Sequence, residues 1–409
     1  MEFMNNGKLA QQLLEEAIRN KASDVHVEPL AKEVRVRMRI DGLLQELCRL
    51  PQSSYSSLVS QMKVLSSMDI AEKRVPQDGR WQLSYAGRSI DLRLSTPPTI
   101  NGEKVAVRIL DQEQGMRRLE DLGMSSQNLK IYRGLLAASH GLFLFTGPTG
   151  SGKTTSLYAT LRELQQEGLN LVTVEDPVEF KLEGINQVAV NRKAGLDFAT
   201  GLRSLVRQDP DIIMVGEIRD RETAAMAVQA ALTGHLVLST LHTNSAVGAV
   251  ARLLDMGLEA YLLAAALRGV LAQRLVRRIC SHCAEYYTPT AQEQQFLQLA
   301  TQQREEPLML KRGRGCSHCR YTGYAGRLAV QELLPVDEYM GDLISAGAGK
   351  AALLSHGAAL GWRSIYEDAE AKVLAEQSTV SELWRAGIVG EEIAATMHYG
   401  SSREAQYVH

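Results

Sequence analysis

The sequence predicts an α/β protein: a parallel-sheet core flanked by helices, with a smaller α/β domain before it and a helical region carrying a cysteine-rich segment after it. Three observations carry this. Apolar strands alternate with helical segments between residues 119 and 279, the signature of a parallel sheet. A glycine-rich loop, Gly147 to Gly152, separates one such strand from the next helix. Four of the five cysteines fall into two Cys-x-x-Cys pairs, Cys280/Cys283 and Cys316/Cys319, leaving Cys48 alone.

Taken in order, residues 1–110 read as the small domain. From Lys8 to Ala22 the apolar residues Leu9, Leu13, Leu14, Ala17 and Ile18 recur at helical spacing. Val34, Val36, Met38 and Ile40 then alternate with Arg35, Arg37 and Arg39, a strand with one buried and one cationic face, ended by the Asp41-Gly42 turn. Residues 52–68 read as helical, Trp81 to Tyr85 and Ser89 to Leu94 as a hairpin about Ala86-Gly87, and Val105 to Leu110 as another strand. Residues 111–118, where apolar periodicity lapses and charges crowd, read as a linker. The core, 119–279, contains the strands Leu142 to Thr146, Leu171 to Val174, Ile212 to Val215 and Leu236 to Thr240. The cysteine-bearing segment is 280–325. From Tyr261 onward the chain is expected to be predominantly helical, including 326–409.

Composition narrows the function classes. At 409 residues, with 45% apolar and 22% charged residues, the chain fits a soluble globular protein of two or three domains. A formal net charge of -2 and a pI near 6.5 give no basic excess that would point to nucleic acid or anionic lipid. The acidic, polar start lacks the features of a secretory signal. The most apolar stretch, Ala260 to Ala266, is far shorter than the roughly 20 residues a membrane span needs, so membrane association is expected to run through a partner.

Gly147, Pro148, Thr149, Gly150, Ser151, Gly152, Lys153 and Thr154, followed by Thr155, satisfy the P-loop pattern in the required strand-to-helix context. Backbone N–H groups of such a loop cradle phosphate oxygens, Lys153 reaches the β and γ phosphates, and Thr154 ligates magnesium. A loop that binds nucleotide without hydrolysing it is the alternative. The strand Ile212 to Val215 ends at Gly216-Glu217 and delivers a carboxylate beside that loop, the Walker B arrangement, whereas Asp211 sits at the far end with a structural role. Val174 to Phe180 concentrates Glu175, Asp176 and Glu179 after another strand; Glu179 or Glu175 could accept a proton from attacking water, and a solvated acidic loop is the plain alternative. His235 and His242 bracket a further strand, as a γ-phosphate sensor or as ordinary structural histidines. The four cysteines offer one tetrahedral, structural zinc site. A disulfide or redox pair fits a cytosolic chain without thioredoxin-like context less well. His282 and His318, inside the knuckles, are expected to point outward.

Together these residues resemble the secretion and type IV pilus ATPases, specifically the assembly branch of type II secretion and pilus biogenesis. The resemblance runs from about Ala22 to the C-terminus, through Ser23-Asp24-Val25-His26, Arg39-Ile40-Asp41-Gly42, Pro76-Gln77-Asp78-Gly79-Arg80, the P-loop, the acidic box, Arg207-Gln208-Asp209-Pro210-Asp211, Gly216-Glu217-Ile218-Arg219-Asp220 and Thr233-Gly234-His235. It implies a RecA-like ATPase core, ATP and magnesium as substrate and cofactor, a structural zinc, and a homohexameric ring. It further implies a mobile N-terminal domain bringing Arg93 and Arg108 to the phosphates, with Arg203 and Arg207 in the same neighbourhood; surface ion pairing is the alternative for all four. By the same resemblance Glu179 matches the general base, Glu217 the Walker B glutamate, and His235 and His242 the histidine box. The four cysteines favour the assembly branch over the retraction branch.

The expected activity is hydrolysis that drives assembly of a type II secretion pseudopilus or type IV pilus. A DNA-uptake or conjugation-type motor is the alternative, and a nucleotide-dependent scaffold a third reading. The partners implied are an inner-membrane platform and a cytoplasmic adaptor, and the location is the cytoplasm, peripheral to the inner membrane. Family members often begin with a further N-terminal docking domain; little precedes the mobile domain here, which reads as a shortened or naturally short member.

Overall fold

The computed structural model describes residues 8–111, 117–297 and 309–388, and the chain divides into two units at Met116/Arg117. Most of the expected linker (112–116), part of the expected cysteine segment (298–308) and the end of the expected helical region (389–409) lie outside the described residues.

In the N-terminal unit, helix α1 (Leu9–Arg19) is followed by β1 (Asp24–Pro29), β2 (Glu33–Ile40) and β3 (Leu43–Pro51). After them come α2 (Tyr55–Leu65), β4 (Asp78–Tyr85), β5 (Arg88–Ser95), the short pair β6 (Pro98–Thr99) and β7 (Gly102–Glu103), and β8 (Val105–Leu110). The sheet runs β3-β2-β1-β8-β5-β4, antiparallel throughout. Strict alternation in β2, half-buried arginines between buried apolar residues, leaves one face to join α1 and α2 in a common core and the other polar. On the polar face the register places Arg80, Arg93, Arg108, Asp24 and Arg39 in one row. Asp24 lies 3.6 Å from Arg108 and 3.7 Å from Arg39. Glu28 takes Arg35, Arg37 and Lys104. Against the upward push of burial, the hydrogen bonds of Arg37 and Lys104 bring its carboxyl down to about 2. The strand Val34–Ile40 therefore has the expected cationic face, largely matched by acids of β1. The β4–β5 turn, Ala86 and Gly87, is left-handed at both residues (φ 50° and 78°), the two-residue hairpin geometry that matches strand twist.

The C-terminal unit opens with α3 (Ser126–Leu136), β9 (Gly141–Thr146), α4 (Lys153–Leu164), β10 (Leu171–Glu175), β11 (Asn186–Ala189), α5 (Phe198–Leu205) and β12 (Ile212–Val215). It continues with α6 (Arg221–Leu232), β13 (Leu236–Leu241), α7 (Ala246–Asp255), α8 (Ala260–Ala266) and β14 (Leu267–Ile279). A small ribbon of β15 (Ala284–Tyr287) and β16 (Leu310–Gly313), with α9 (Ala291–Phe296) between, precedes β17 (Tyr324–Pro335). The described chain ends in α10 (Glu338–Ser345), α11 (Lys350–Ala359), α12 (Ile365–Leu374) and α13 (Val380–Arg385).

Seven strands form the sheet β11-β10-β12-β13-β9-β14-β17, parallel except for β17. Every residue of β9, β12 and β13 is buried. Leu142 and Leu144 face one helix layer, with Val228 and Val250. Phe143 and Phe145 face the other, with Tyr132 and Leu161.

One expectation is corrected here. The stretch after Tyr261 is not mainly helical, because β14 and β17, of 13 and 12 residues, pair along nearly their whole length and extend the core sheet beyond residue 279. A strand buried on both faces shows no alternation, so Leu267, Val270, Leu271 and Leu275 mimic helical spacing.

Candidate nucleotide site and cysteine cluster

The six-residue turn between β9 and α4 lies at the carboxyl ends of the parallel strands, where open α/β sheets bind ligands. Thr146, the last residue of β9, accepts the N–H of Thr243 at 2.9 Å and so ties the turn to the end of β13. Gly147 has φ 148°, and a Cβ there would lie 2.4 Å from the Gln273 carbonyl; only glycine lets the backbone pass β14 so closely. Thr149 through Thr155 line a cleft of about 420 Å³, together with Glu175, Asp176, Glu179, Glu217 and His242.

Lys153 is buried and its Nζ donates to the carbonyls of Gly147 at 2.7 Å and Pro148 at 3.2 Å. Burial pushes its ammonium down to about 8, against the pull of the Glu217 charge. Glu217, just past β12, pairs with Arg219 at 2.6 Å and approaches His242 at 3.6 Å. Burial, with Lys153 nearby, lowers the His242 pKa and favours the neutral ring. Asp211 stands at the other end of β12 and accepts the Asn170 N–H at 2.7 Å.

The acidic box resolves into two kinds of carboxylate. Glu175 is buried and accepts from the Tyr158 hydroxyl, from Thr173 Oγ1 at 2.7 Å and from Gln187 Nε2 at 3.0 Å. Three donors on one carboxylate make it a strut of the loop. Glu179 sits on the cleft wall.

The two histidines separate. His242 lines the cleft, while His235 lies at the opposite end of β13, its Nδ1 2.9 Å from the Ala230 carbonyl of α6, about 20 Å away at the rise of a six-residue strand. Arg203 and Arg207 are also outside the cleft lining: Arg203 pairs with Glu222 at 2.8 Å, and Arg207 donates to the Arg203 carbonyl at 2.7 Å. Arg93 and Arg108 are cross-strand neighbours in the N-terminal unit.

Sequence reading missed Gln273. From the interior of β14 its amide donates to the Ser151 carbonyl and accepts from Ser156 Oγ, both at 2.8 Å. A glutamine in an apolar run carries no motif; only strand pairing brings it beneath the loop.

The four cysteine sulfurs lie within 4.8 Å of one another, with separations of 4.0 Å for Cys280–Cys316 and 3.8 Å for Cys283–Cys319 and Cys316–Cys319. Tetrahedral zinc with Zn–S bonds of about 2.3 Å has an S–S edge of about 3.8 Å, whereas a disulfide needs about 2.05 Å. Backbone N–H groups of Gly315, Cys316 and Gly323 point at the sulfurs of Cys283, Cys319 and Cys319, the bonds that favour thiolates. Gly313 and Gly323 cross so closely that a Cβ on Gly313 would sit 1.9 Å from the Gly323 carbonyl oxygen. His282 and His318 are exposed and stack on each other at 3.9 Å. The donor set and its spacing fit zinc.

Comparison with known proteins agrees with this architecture. The model of the family described as Type II/IV secretion system protein matches residues 4–385. The chain is 49% identical to the Type II secretion system protein E of Pseudomonas aeruginosa, over 92% of this chain and 74% of that relative. It is 50% identical to the Type II secretion system ATPase E of Vibrio cholerae, over 85% of this chain and 69% of that relative. In fold it is similar to the pilus retraction motor PilT with bound ADP (TM-score 0.63, 24% identity, 94% and 98% of the two chains). It is similar also to the Legionella pneumophila ATPase DotB (TM-score 0.65, 21% identity, 98% of each chain).

Proposed function

The chain belongs to the Type II/IV secretion system protein family and is a secretion ATPase, and from that premise we propose that it hydrolyses ATP with magnesium at the Lys153 cleft, as a homohexameric ring that powers pseudopilus assembly. The observation that carries this is the convergence of Lys153, Thr154, Glu179 and Glu217 on one cleft at the strand ends.

In the proposed reaction the loop N–H groups and Lys153 bind the β and γ phosphates. Thr154 and Glu217 would hold the magnesium ion, which supplies charge to the phosphate oxygens when bound. Glu179 accepts a proton from water as its oxygen bonds to the γ phosphorus; the bond to the β–γ bridging oxygen breaks and its electron pair leaves with ADP. Neutral His242, beside Glu217, is suited to sense the γ phosphate. We assign Arg93 and Arg108 to neutralising phosphate charge. Arg203, Arg207 and His235, outside the cleft, receive no role at this chain's phosphates. Zinc at Cys280, Cys283, Cys316 and Cys319 would be structural, since protein fills all four positions. Docking to an inner-membrane platform and a cytoplasmic adaptor belongs to the same proposal; among the described residues no helix is long and apolar enough to cross a membrane.

Phosphate release by the metal-loaded protein, measured across concentrations that span ring assembly, tests the reading. Activity should rise with assembly and fall by about a hundredfold or more in Lys153→Ala and Glu217→Gln. Equal activity in wild type and both variants would remove these residues from the site. Zinc is tested separately: metal analysis should find one zinc ion per chain, lost in Cys280→Ser and Cys319→Ser.

A further inference from the structure

The acidic loop that carries Glu179 is held by a residue outside every recognised motif. Tyr158 lies on α4, four residues after Thr154 and so on the same helix face, and both line the cleft. Its ring packs edge-to-face on Phe180 at 6.0 Å and 76°. Its hydroxyl donates to Glu175 Oε2 and, with that proton committed, accepts the backbone N–H of Glu179 at 3.2 Å. Burial, reinforced by the Glu175 charge, raises the Tyr158 pKa and keeps that hydroxyl protonated.

From the other side Gln187 of β11 donates 3.0 Å bonds to Glu175 Oε1 and to the Phe180 carbonyl, and accepts the Leu182 N–H at 2.7 Å. Three backbone groups of a loop that makes no ladder at these residues are thus held by two side chains, and both side chains converge on Glu175.

We propose that Tyr158 is a positioning residue for hydrolysis: its hydroxyl locks the backbone of Glu179 to the P-loop helix, so that phosphates and water-activating carboxylate are placed by one rigid element. The inference rests on the assignment of Glu179 as proton acceptor. Its chemical basis is that reacting groups must be held to near-attack geometry, and a 1 Å displacement can cost about a hundredfold in rate.

Tyr158→Phe keeps the ring and its Phe180 contact and removes only the hydroxyl. We expect kcat to fall by about ten- to a hundredfold, with affinity for a fluorescent ADP analogue within about twofold of wild type. In single-turnover hydrolysis the same change in a Glu179→Gln background should add no further loss, because the two residues act as one unit. A kcat within about twofold of wild type, a matching loss of nucleotide affinity, or full additivity with Glu179→Gln would each overturn the proposal. Should the phenylalanine variant not fold, Gln187→Ala acts on the same loop from β11 and must show the same signature at smaller size. Glu179→Gln alone separates the two readings. If it hydrolyses ATP like wild type, the proton-acceptor assignment fails and the positioning role with it. If it is inactive while Tyr158→Phe is normal, only the positioning role fails.

Discussion

The two sheets of this protein solve burial differently, and the difference decides where each can carry function. The N-terminal sheet is covered on one face, so β2 alternates buried and half-buried residues, and charged side chains stand in rows on its other face. The C-terminal sheet is covered on both faces, so β9 and β13 are buried throughout, and chemistry is confined to the ends of strands. A face can display many arginines at little cost to folding. A strand end offers few positions, but it aims backbone N–H groups, a lysine and carboxylates at one point.

The sharpest break of this comparison is a charge beneath the covered face of the N-terminal sheet. Lys63 and Glu103, 1% and 4% exposed, pair at 2.5 Å, and Lys63 also donates to the Glu72 carbonyl at 2.6 Å. Lys63→Met leaves Glu103 buried without its counter-charge and should cost about 3–5 kcal/mol in urea unfolding. Replacing Glu103 by leucine as well should recover most of that loss. A cost under about 1 kcal/mol would mean the pair behaves like a surface ion pair.

Next in size, Leu144→Ala in the doubly covered sheet should cost about 2–5 kcal/mol, while Arg39→Ala on the polar face of β2, whose pairing with Asp24 at 3.7 Å is partly exposed, should cost about 1 kcal/mol or less. Matching midpoint shifts in denaturant would erase the distinction between the sheets.

Third, Arg93→Ala and Arg108→Ala should each lower hydrolysis by about tenfold or more, near 1.4 kcal/mol of barrier, with the thermal midpoint moved by only a few degrees. Loss of fold and activity together would make them structural residues of the face.

The last effect, graded rather than all-or-none, is a pH dependence at the strand end. Lys153 is held near 8 in the free protein and returns to its ordinary value near 10.4 on unfolding. The unfolded chain therefore binds more protons between these values, and this group favours folding increasingly as pH rises from about 8 toward about 10.4. Phosphate binding needs the protonated amine, so nucleotide affinity should be flat below pH 8 and fall above it, by at most about tenfold per pH unit. Lys153→Arg should remove that slope, and an unchanged slope would assign it to another group.

Much of both sheets was legible in the sequence because their signals are local. Val34 to Ile40 alternates, Ala86-Gly87 turns, and the glycines before Lys153 demand a loop with unusual backbone angles. The cysteine spacings likewise announce a four-sulfur cluster. Other features were hidden: β14 and β17 lack alternation, and the acidic run by itself does not show that Glu175 is held by three donors.

Sequence alone thus determined the loop, its lysine, the cysteine knuckles and the one-sided N-terminal strands, since each rests on residues within a turn or a strand of one another. Tertiary structure alone decided that Glu175 is a strut held by three donors, that His235, Arg203 and Arg207 stay outside the cleft lining, and that Gln273 and Tyr158 brace the loops. Those outcomes depend on hydrogen bonds between residues far apart in the chain, such as Ser151 with Gln273, whose geometry exists only once the parallel strands have paired.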